Sequence, residues 1–363
     1  MEGPRSPSET ELPEVLDFLN KNLRDKSSWS IAAEYPTALS ANNIHNMRII
    51  AEEGHVLSHA VLKPLIIKTP HMIFKVGAIG SVVTADQHRG QGLSTQILEE
   101  CLNSSKKQDC DIAILWTDLF DFYGRMGFAL AGSEISFIIE DNFNVPASNL
   151  RFSADSRVTP EAIHRLYSAH TVSSVRSVEE TRKFLMIPQT KVYTAWESDG
   201  QLAAYAIEGK GIDLGGYIHE WGGSVSKLMA LLSYIRALKQ EPITIICPAH
   251  STNLIQQLQS KPVTMNMGFL GMIKIANFEQ LFTKIKRAFR AEGVADIILD
   301  KQSQKFIFGV GHDLITIEQE TDLVRLLFGP VKYDELSIFK PETIKKLEKV
   351  LPLNLWIWGW DSI

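Results

Sequence analysis

The sequence is poor in cysteine and has no long apolar run. Its 363 residues include three cysteines, at positions 101, 110 and 247, which form no CxxC pair and cannot all be bridged. This favours a reducing compartment and thiols that are buried or incidental. The N-terminal segment is acidic where a signal peptide needs an apolar core, and no stretch of about 18 apolar residues follows. We therefore expect a soluble, cytoplasmic protein that does not enter membranes.

The sequence also lacks an excess of positive charge. Its 37 Lys and Arg stand against 42 Asp and Glu, giving a formal net charge of −5. No basic field is available to recruit nucleic acid, and a cationic small molecule is the better electrostatic match. His55 and His59 have the spacing of a zinc pair, but their segment is strand-like and lacks the glutamate of an HExxH motif. We expect no metal and no nucleic acid.

The predicted elements recur in the same order along the chain, which at this length suggests two or three domains. A helix, a hairpin, a strand, a glycine turn, a second helix and a final strand are predicted between residues 11 and 117 and again between 160 and 247. The remainder is predicted to be a smaller α+β unit. The pattern indicates a duplicated α/β domain, with units at residues 1–150, 151–272 and 273–363.

The clearest motif is TADQHRGQGLSTQILEEC, which starts at Thr84 and follows the apolar strand VGAIGSVV. The first N–H groups of a helix have no internal partners and carry the positive end of its dipole. A glycine turn lets the backbone approach a phosphate, and Arg89 adds charge. The sequence thus predicts a pyrophosphate site at the start of this helix. The alternative is that Gly90 and Gly92 merely form a tight turn.

This stretch resembles the acetyl-CoA-binding motif of the GNAT superfamily, Arg-x-x-Gly-x-Gly/Ala, with Arg89, Gly92 and Ser94 on the marked positions. Ser94 departs from the usual last residue but is still small. The resemblance implies that acetyl-CoA is the cosubstrate and that the N–H of Val82 polarises its thioester. The implied cofactor-binding residues are Val82, Val83, Thr84, Arg89, Gly90, Gln91, Gly92, Leu93, Ser94 and Thr95.

The whole arrangement is similar to the bacterial enhanced intracellular survival acetyltransferases. The turn of the second unit, HEWGGSVSKLM, has glycines but no arginine, so that unit is expected to be a degenerate copy. The third unit resembles sterol-carrier-like folds. The fold class implied is α/β (α+β), with tandem GNAT folds, mixed central sheets and a sterol-carrier-like C-terminal domain. The resemblance also implies acetylation of polyamine-like or aminoglycoside-like amines and a homo-oligomer.

Acyl transfer to an amine needs an acid for the leaving thiolate and a base for the amine proton. The resemblance implies that Tyr123 is the acid; the alternative is an aromatic that only packs. The strand KVGAIGSVV offers no carboxylate, and the apolar tail LPLNLWIWGWDSI is unlike a frayed end. The resemblance implies that the C-terminal carboxylate reaches the active site, so we expect the α-carboxylate of Ile363 to be the base, with Asp361 or a water chain as rivals. The alternative is that Trp356, Trp358 and Trp360 only anchor the tail to the third unit.

The sequence therefore predicts an acetyl-CoA-dependent N-acetyltransferase that acts on a primary amine of a small acceptor. One rival is a protein acetyltransferase that modifies lysines or N-termini. The other is a binding module in which the third unit holds an apolar or acyl ligand and the GNAT unit only senses acyl-CoA.

Overall fold

The computed structural model of the protein describes residues 1–146, 149–154, 157–330 and 338–363. Within these ranges, no helix combines the length and the apolar character that a membrane span requires. The three cysteines are buried and unpaired, as the sequence predicts.

In the N-terminal part of the chain, a short strand is followed by a Ser8–Glu11 capping box, in which each side chain bonds the other residue's backbone N–H, and by a helix with Pro13 in its first turn. Its helices and strands include the predicted ones in the predicted order, together with further short elements. They are β1 (Glu2–Arg5), α1 (Leu12–Leu23), α2 (Ile31–Glu34), β2 (Met47–Glu52), β3 (His55–Lys68), β4 (Ile73–Thr84), α3 (Leu93–Lys107), β5 (Ile112–Leu115), α4 (Phe120–Arg125), β6 (Ala129–Ala131) and β7 (Glu134–Ile139).

The first helix of the middle part has the predicted cap, since the Thr159 side chain accepts a hydrogen bond from the Ala162 N–H and Pro160 is the first helical residue. Its elements are β8 (Arg151–Ser153), α5 (Pro160–Tyr167), β9 (Ser173–Ser174), α6 (Val178–Phe184), β10 (Lys191–Trp196), β11 (Leu202–Lys210), β12 (Asp213–Gly223), α7 (Val225–Leu238), β13 (Ile243–Pro248), α8 (Thr252–Gln259), β14 (Val263–Gly268) and β15 (Gly271–Ile275).

The C-terminal part packs an amphipathic helix on a small antiparallel sheet. Leu281, Ile285 and Phe289 recur at four-residue spacing on the buried face of that helix. The elements are α9 (Phe278–Ala291), β16 (Ile297–Gln302), β17 (Lys305–Val310), β18 (Asp313–Ile317), α10 (Glu320–Phe328) and α11 (Pro341–Leu347).

The predicted duplication is confirmed by the pairing of the strands. In the first copy, a hairpin of β2 and β3 leads to β4, which pairs in parallel with β5 after the crossover helix α3. In the second copy, a hairpin of β10 and β11 leads to β12, which pairs in parallel with β13 after α7. Both large sheets are mixed, because each contains one of these parallel pairs and its remaining strand pairs are antiparallel.

The two large sheets exchange strands. Among the described residues, the first sheet has the order β1-β2-β3-β4-β5-β15-β6, with β9 beside β3, and the second has the order β14-β7-β13-β12-β11-β10-β8. Strand β7, which follows the first copy in sequence, thus belongs to the second sheet. Strand β15, which follows the second copy, belongs to the first sheet and lies between β5 and β6. The domain boundaries at residues 150 and 272 stay a prediction, since each large sheet contains strands from both sides of a boundary.

The C-terminal tail is buried although it has almost no regular structure. Three of its tryptophans are at most 2% exposed, Trp356, Trp358 and Trp360. The Trp358 ring packs on His170 and Trp221, at 4.2 and 4.9 Å between ring centroids, and its indole N–H donates to the Val172 carbonyl. The alternative in which these side chains anchor the tail to the third unit is therefore wrong for Trp358, whose contacts are with the middle of the chain.

A buried ion-pair network holds the same tail. The Arg176 guanidinium, with only 2% of its side chain exposed, lies 2.7 Å from both the Glu220 and the Asp361 carboxylates. The Tyr167 hydroxyl also donates to Asp361, and the Arg176 guanidinium stacks on the Tyr167 ring. Charges so far from water are tolerated only because each is paired.

We predict that Asp361→Asn strongly destabilises the protein, because the buried Arg176 guanidinium loses its charge-assisted hydrogen bonds to Asp361 and the new amide group faces donors of Arg176 and Tyr167. The expected loss is about 3 to 5 kcal/mol. The measurement is the midpoint of thermal unfolding by calorimetry. Asp322→Asn is the matched control, since Asp322 pairs with Arg325 at the surface, where such pairs contribute about 1 kcal/mol or less. Equal midpoints for the two variants would contradict the network's role.

Candidate active site

The site begins where two parallel strands separate. Strands β4 and β5 pair through the register from Val76 and Ile112 to Ala78 and Ile114. Beyond that point, the edges of both strands line a cavity of about 450 Å³ instead of bonding each other. Residues from the first sheet, the second sheet and the C-terminal tail together enclose this space. A ligand that enters the opening therefore meets main-chain groups of β4 that the sheet leaves unpaired.

A β-bulge shapes the β4 edge of this opening. His59 pairs with Val83 and Val61 with Gly80, so one extra residue stands on β4, and Ser81 has a positive φ of 49°. The buried His59 ring makes a 2.9 Å hydrogen bond to the Ser81 carbonyl. Burial lowers the pKa of His59 to about 4, so the ring is neutral and its Nδ1–H donates. From the sequence, His59 is considered only as half of a zinc pair, which is rejected; in the structure its hydrogen bond holds the bulge beside Val82.

A second, smaller cleft of about 280 Å³ lies at the start of α3. Gly90 and Gly92 have φ values of 79° and 78°, which explains why glycine stands at both positions. No side chain caps the helix at Gly92. A Cβ added at either glycine would meet nothing within 4 Å, so the backbone is open to a ligand. The residues that line the cleft are Thr84, His88, Arg89, Gly90, Gly92, Leu93, Ser94, Thr95 and Phe122.

The polar groups of this cleft suit an anionic ligand. Arg89 is 68% exposed at its side chain, and its one ion pair with a described residue is to the still more exposed Asp86, at 2.8 Å, so it can turn toward an incoming phosphate. The Thr84 and Ser94 hydroxyls lie 2.7 Å apart and fix the end of β4 to the first turn of α3. Of the remaining predicted residues, Val83 packs its side chain in the core, and Gln91 is exposed at the turn.

Helix α4 connects the two spaces. Phe122 lines the α3 cleft and Tyr123 lines the larger cavity, with their rings edge to face at 4.9 Å. Tyr123 is 6% exposed, and burial raises its pKa to about 12. Its hydroxyl makes no hydrogen bond to any described residue, so it is available to a ligand in the cavity.

The end of the chain lies against β4. A Cβ added at Gly80 would come within 2.6 Å of the Ile363 carbonyl carbon, and Ile363 lines the larger cavity together with Tyr123. The buried Lys210 ammonium donates to the Gly359 carbonyl at 3.0 Å and to the Ser362 carbonyl, and so fixes the last turn of the tail. The structure thus brings Tyr123, Val82 and Ile363 to one cavity.

Asp361, the rival carboxylate, is oriented elsewhere. Both of its oxygens accept hydrogen bonds from Arg176, and Tyr167 donates a further one. It is 5% exposed and is not among the cavity-lining residues of the tail. These contacts hold Asp361 in the buried ion-pair network, away from an amine that binds in the cavity.

Glu134 is a cavity residue that the sequence analysis missed. It is the first residue of β7, and burial raises its pKa to about 7. The other acidic side chain in the lining, Asp213, accepts hydrogen bonds from Tyr35 and Arg24. A single glutamate at the start of the apolar run ISFII was the available signal. Among the described residues, no cluster of His, Cys, Asp and Glu could hold a metal ion.

Residues 4–131 match the family model described as an acetyltransferase (GNAT) domain. No curated protein matches the sequence. Three solved structures each align over 99% of both chains. One is a GCN5-related N-acetyltransferase from Anabaena variabilis, with 15% identity and a TM-score of 0.68. The second is a probable N-acyltransferase from Enterococcus faecalis, with 13% identity and a TM-score of 0.65. The third is Eis1 from Mycobacterium abscessus, with 12% identity and a TM-score of 0.64.

At these identities the likeness to solved structures shows the fold, and the family model assigns the domain. Residues 4–131 therefore form an acetyltransferase (GNAT) domain, and the chain has a mixed α/β fold like that of these three proteins over its whole length.

Proposed function

We propose that the protein transfers an acetyl group from acetyl-CoA to a primary amine of a small polyamine-like or aminoglycoside-like acceptor. The observation that carries this proposal is that Tyr123, the bulged strand at Val82 and the chain end at Ile363 line one cavity. An acid, a main-chain donor and a carboxylate are the groups that transfer from a thioester to an amine requires.

Acetyl-CoA supplies the activated acyl group, and the α3 cleft supplies the means to hold its pyrophosphate. The N–H groups from Gly92 to Thr95 face the open cleft at the positive end of α3, with Arg89 beside them. The N–H of Val82, next to the bulge at Ser81, is the donor for the developing oxyanion. The His59 hydrogen bond keeps that bulge in place.

Tyr123 is the general acid that assists the departure of the sulfur. Its raised pKa keeps the phenol protonated throughout the neutral range. Because a free thiol, with a pKa of about 8.5, is a stronger acid than this phenol, full proton transfer to a relaxed thiolate is uphill. Tyr123 therefore acts as a hydrogen-bond donor while charge builds on the sulfur, and its effect belongs to the transition state.

The α-carboxylate of Ile363 accepts the proton of the attacking amine. A protonated amine has no lone pair for attack, and β4 provides no acidic side chain along its edge. Asp361 is engaged by Arg176, which leaves the terminal carboxylate as the acidic group nearest to Gly80 in the lining of the cavity. Lys210 holds the preceding carbonyl groups and limits the motion of the terminus.

The test of the function is thiol release from acetyl-CoA with and without a panel of small amines and lysine peptides. Release that depends on a small amine supports the proposal. Release with peptides alone would identify a protein acetyltransferase, and binding without any release would identify an acyl-CoA-binding module.

Gly92→Trp is predicted to abolish acetyl-CoA binding, because the indole occupies the open space beside the helix N–H groups. The measurement is calorimetric titration with acetyl-CoA. Gly54→Trp is the matched control, since Gly54 also has a positive φ, of 83°, and open surroundings, but lies in the turn between β2 and β3. Unchanged affinity in a folded Gly92→Trp protein would exclude the α3 cleft.

Tyr123→Phe is predicted to lower kcat on the order of 100-fold and to leave acetyl-CoA affinity nearly unchanged, because proton donation matters mainly in the transition state. Steady-state thiol release gives both parameters. Tyr217→Phe removes a hydroxyl from an exposed tyrosine outside the cavity and serves as the control. If both variants turn over at the wild-type rate, Tyr123 is a packing residue only.

A semisynthetic C-terminal amide at Ile363 is predicted to depress kcat while acetyl-CoA affinity stays the same, because the amide keeps the shape of the terminus but cannot accept a proton. Appending a few residues after Ile363 should have a similar effect through displacement from Gly80. Rates are compared over the pH range. An amide with the wild-type rate and pH profile would eliminate the terminal base and point to a water chain.

A further inference from the structure

The cavity contains a carboxylate for which the mechanism has no use. Glu134 lies in its lining with Trp116, Trp356 and Leu270. No described residue forms an ion pair or a side-chain hydrogen bond with its carboxylate, and burial alone accounts for its raised pKa. A carboxylate that is partly withdrawn from water and has no partner is costly for the fold. A bound cation would offset this cost.

Glu134 stands on a different wall of the cavity from the reacting groups. It begins β7, which pairs with β13 and β14 in the second sheet, whereas Gly80 and Val82 belong to β4 of the first sheet. Next to the paired strands β5 and β15 of the first sheet, the cavity-lining Trp116 donates its indole N–H to the Leu270 carbonyl. Glu134 is therefore suited to contact a part of the acceptor other than the attacking nitrogen.

The surfaces between these walls suit an aliphatic chain. Trp116, Leu115 and Trp356 are mainly apolar and line the cavity, and aromatic faces also attract ammonium groups. The one cationic side chain in the lining, Arg24, is already bonded to Glu34 and Asp213. Among the described residues, Glu134 is thus the acidic side chain of the cavity that is left to pair with a ligand.

We propose that Glu134 forms a second ammonium subsite, which binds the distal charged amine of a diamine or polyamine while its other amine reacts near Gly80. This inference rests on the proposed acetyl transfer to small amines and assigns the residue that would select acceptors with two charges. A buried, charge-assisted hydrogen bond of this kind corresponds to a preference of about ten- to a hundredfold.

The test compares two acceptors of equal length, 1-aminohexane and 1,6-diaminohexane, in wild type, Glu134→Gln and Glu140→Gln. Glu140 is exposed just beyond the other end of β7, so its substitution is the matched control. We expect kcat/KM from thiol release to favour the diamine by about ten- to a hundredfold in wild type and in Glu140→Gln. In Glu134→Gln, this preference should disappear through a higher KM for the diamine, with the monoamine unaffected.

Two kinetic outcomes would overturn the subsite. If Glu134→Gln keeps the diamine preference, Glu134 does not contact the distal amine. If the substitution lowers kcat equally for both amines, Glu134 acts on the reacting nitrogen instead.

Calorimetric titration of 1,6-diaminohexane separates this inference from the proposed function. If no amine releases thiol from acetyl-CoA, the proposed function fails and the titration alone decides on the subsite. Diamine binding that is lost in Glu134→Gln but kept in Glu140→Gln supports the subsite. Equal binding by the two variants, or no binding to wild type, overturns it.

Discussion

The burial of Arg176 between Glu220 and Asp361 is the interaction on which the arrangement of the site depends. It joins the strand β12 of the second sheet to the last turn of the chain, with both carboxylates 2.7 Å from the guanidinium. Because buried charges depend on their partners, the tail cannot leave without taking one of the two carboxylates from Arg176 and exposing the Arg176–Glu220 pair. The final residues are thereby fixed, and Ile363 is held against Gly80 in the opening between β4 and β5.

The exchange of strands builds the rest of the cavity. If β7 stayed beside β6 in the first sheet, Glu134 would not lie in the wall that the second sheet contributes. Likewise, β15 brings Leu270 to the edge of β5, where Trp116 bonds to it. The cavity is therefore a property of the interleaved chain, and removal of the middle part would open it to water. A single GNAT domain would therefore lack the walls that the second sheet and the tail contribute to the cavity.

Local features of the fold and of the α3 cleft could be predicted from the sequence, and features that depend on long-range pairing could not. The capping box at Ser8, the cap at Thr159 and the glycines at the start of α3 each act within a few residues, so their patterns are visible in the chain. The strand exchange, the partner of Asp361 and the position of Glu134 join residues more than 100 positions apart. No local periodicity specifies such contacts, and the sequence analysis missed all of them.

The missing carboxylate on β4 and the buried tail are two aspects of one packing constraint. A side chain at position 80 would overlap the main chain of Ile363, so glycine is required there while the tail occupies its place. Conversely, a strand with an acidic side chain at that position would displace the terminus from the opening. The two arrangements exclude each other sterically, and either would put a carboxylate at the same edge of the sheet. A strand without acidic residues is therefore what the packing of the tail demands, and its composition says nothing against proton transfer at this site.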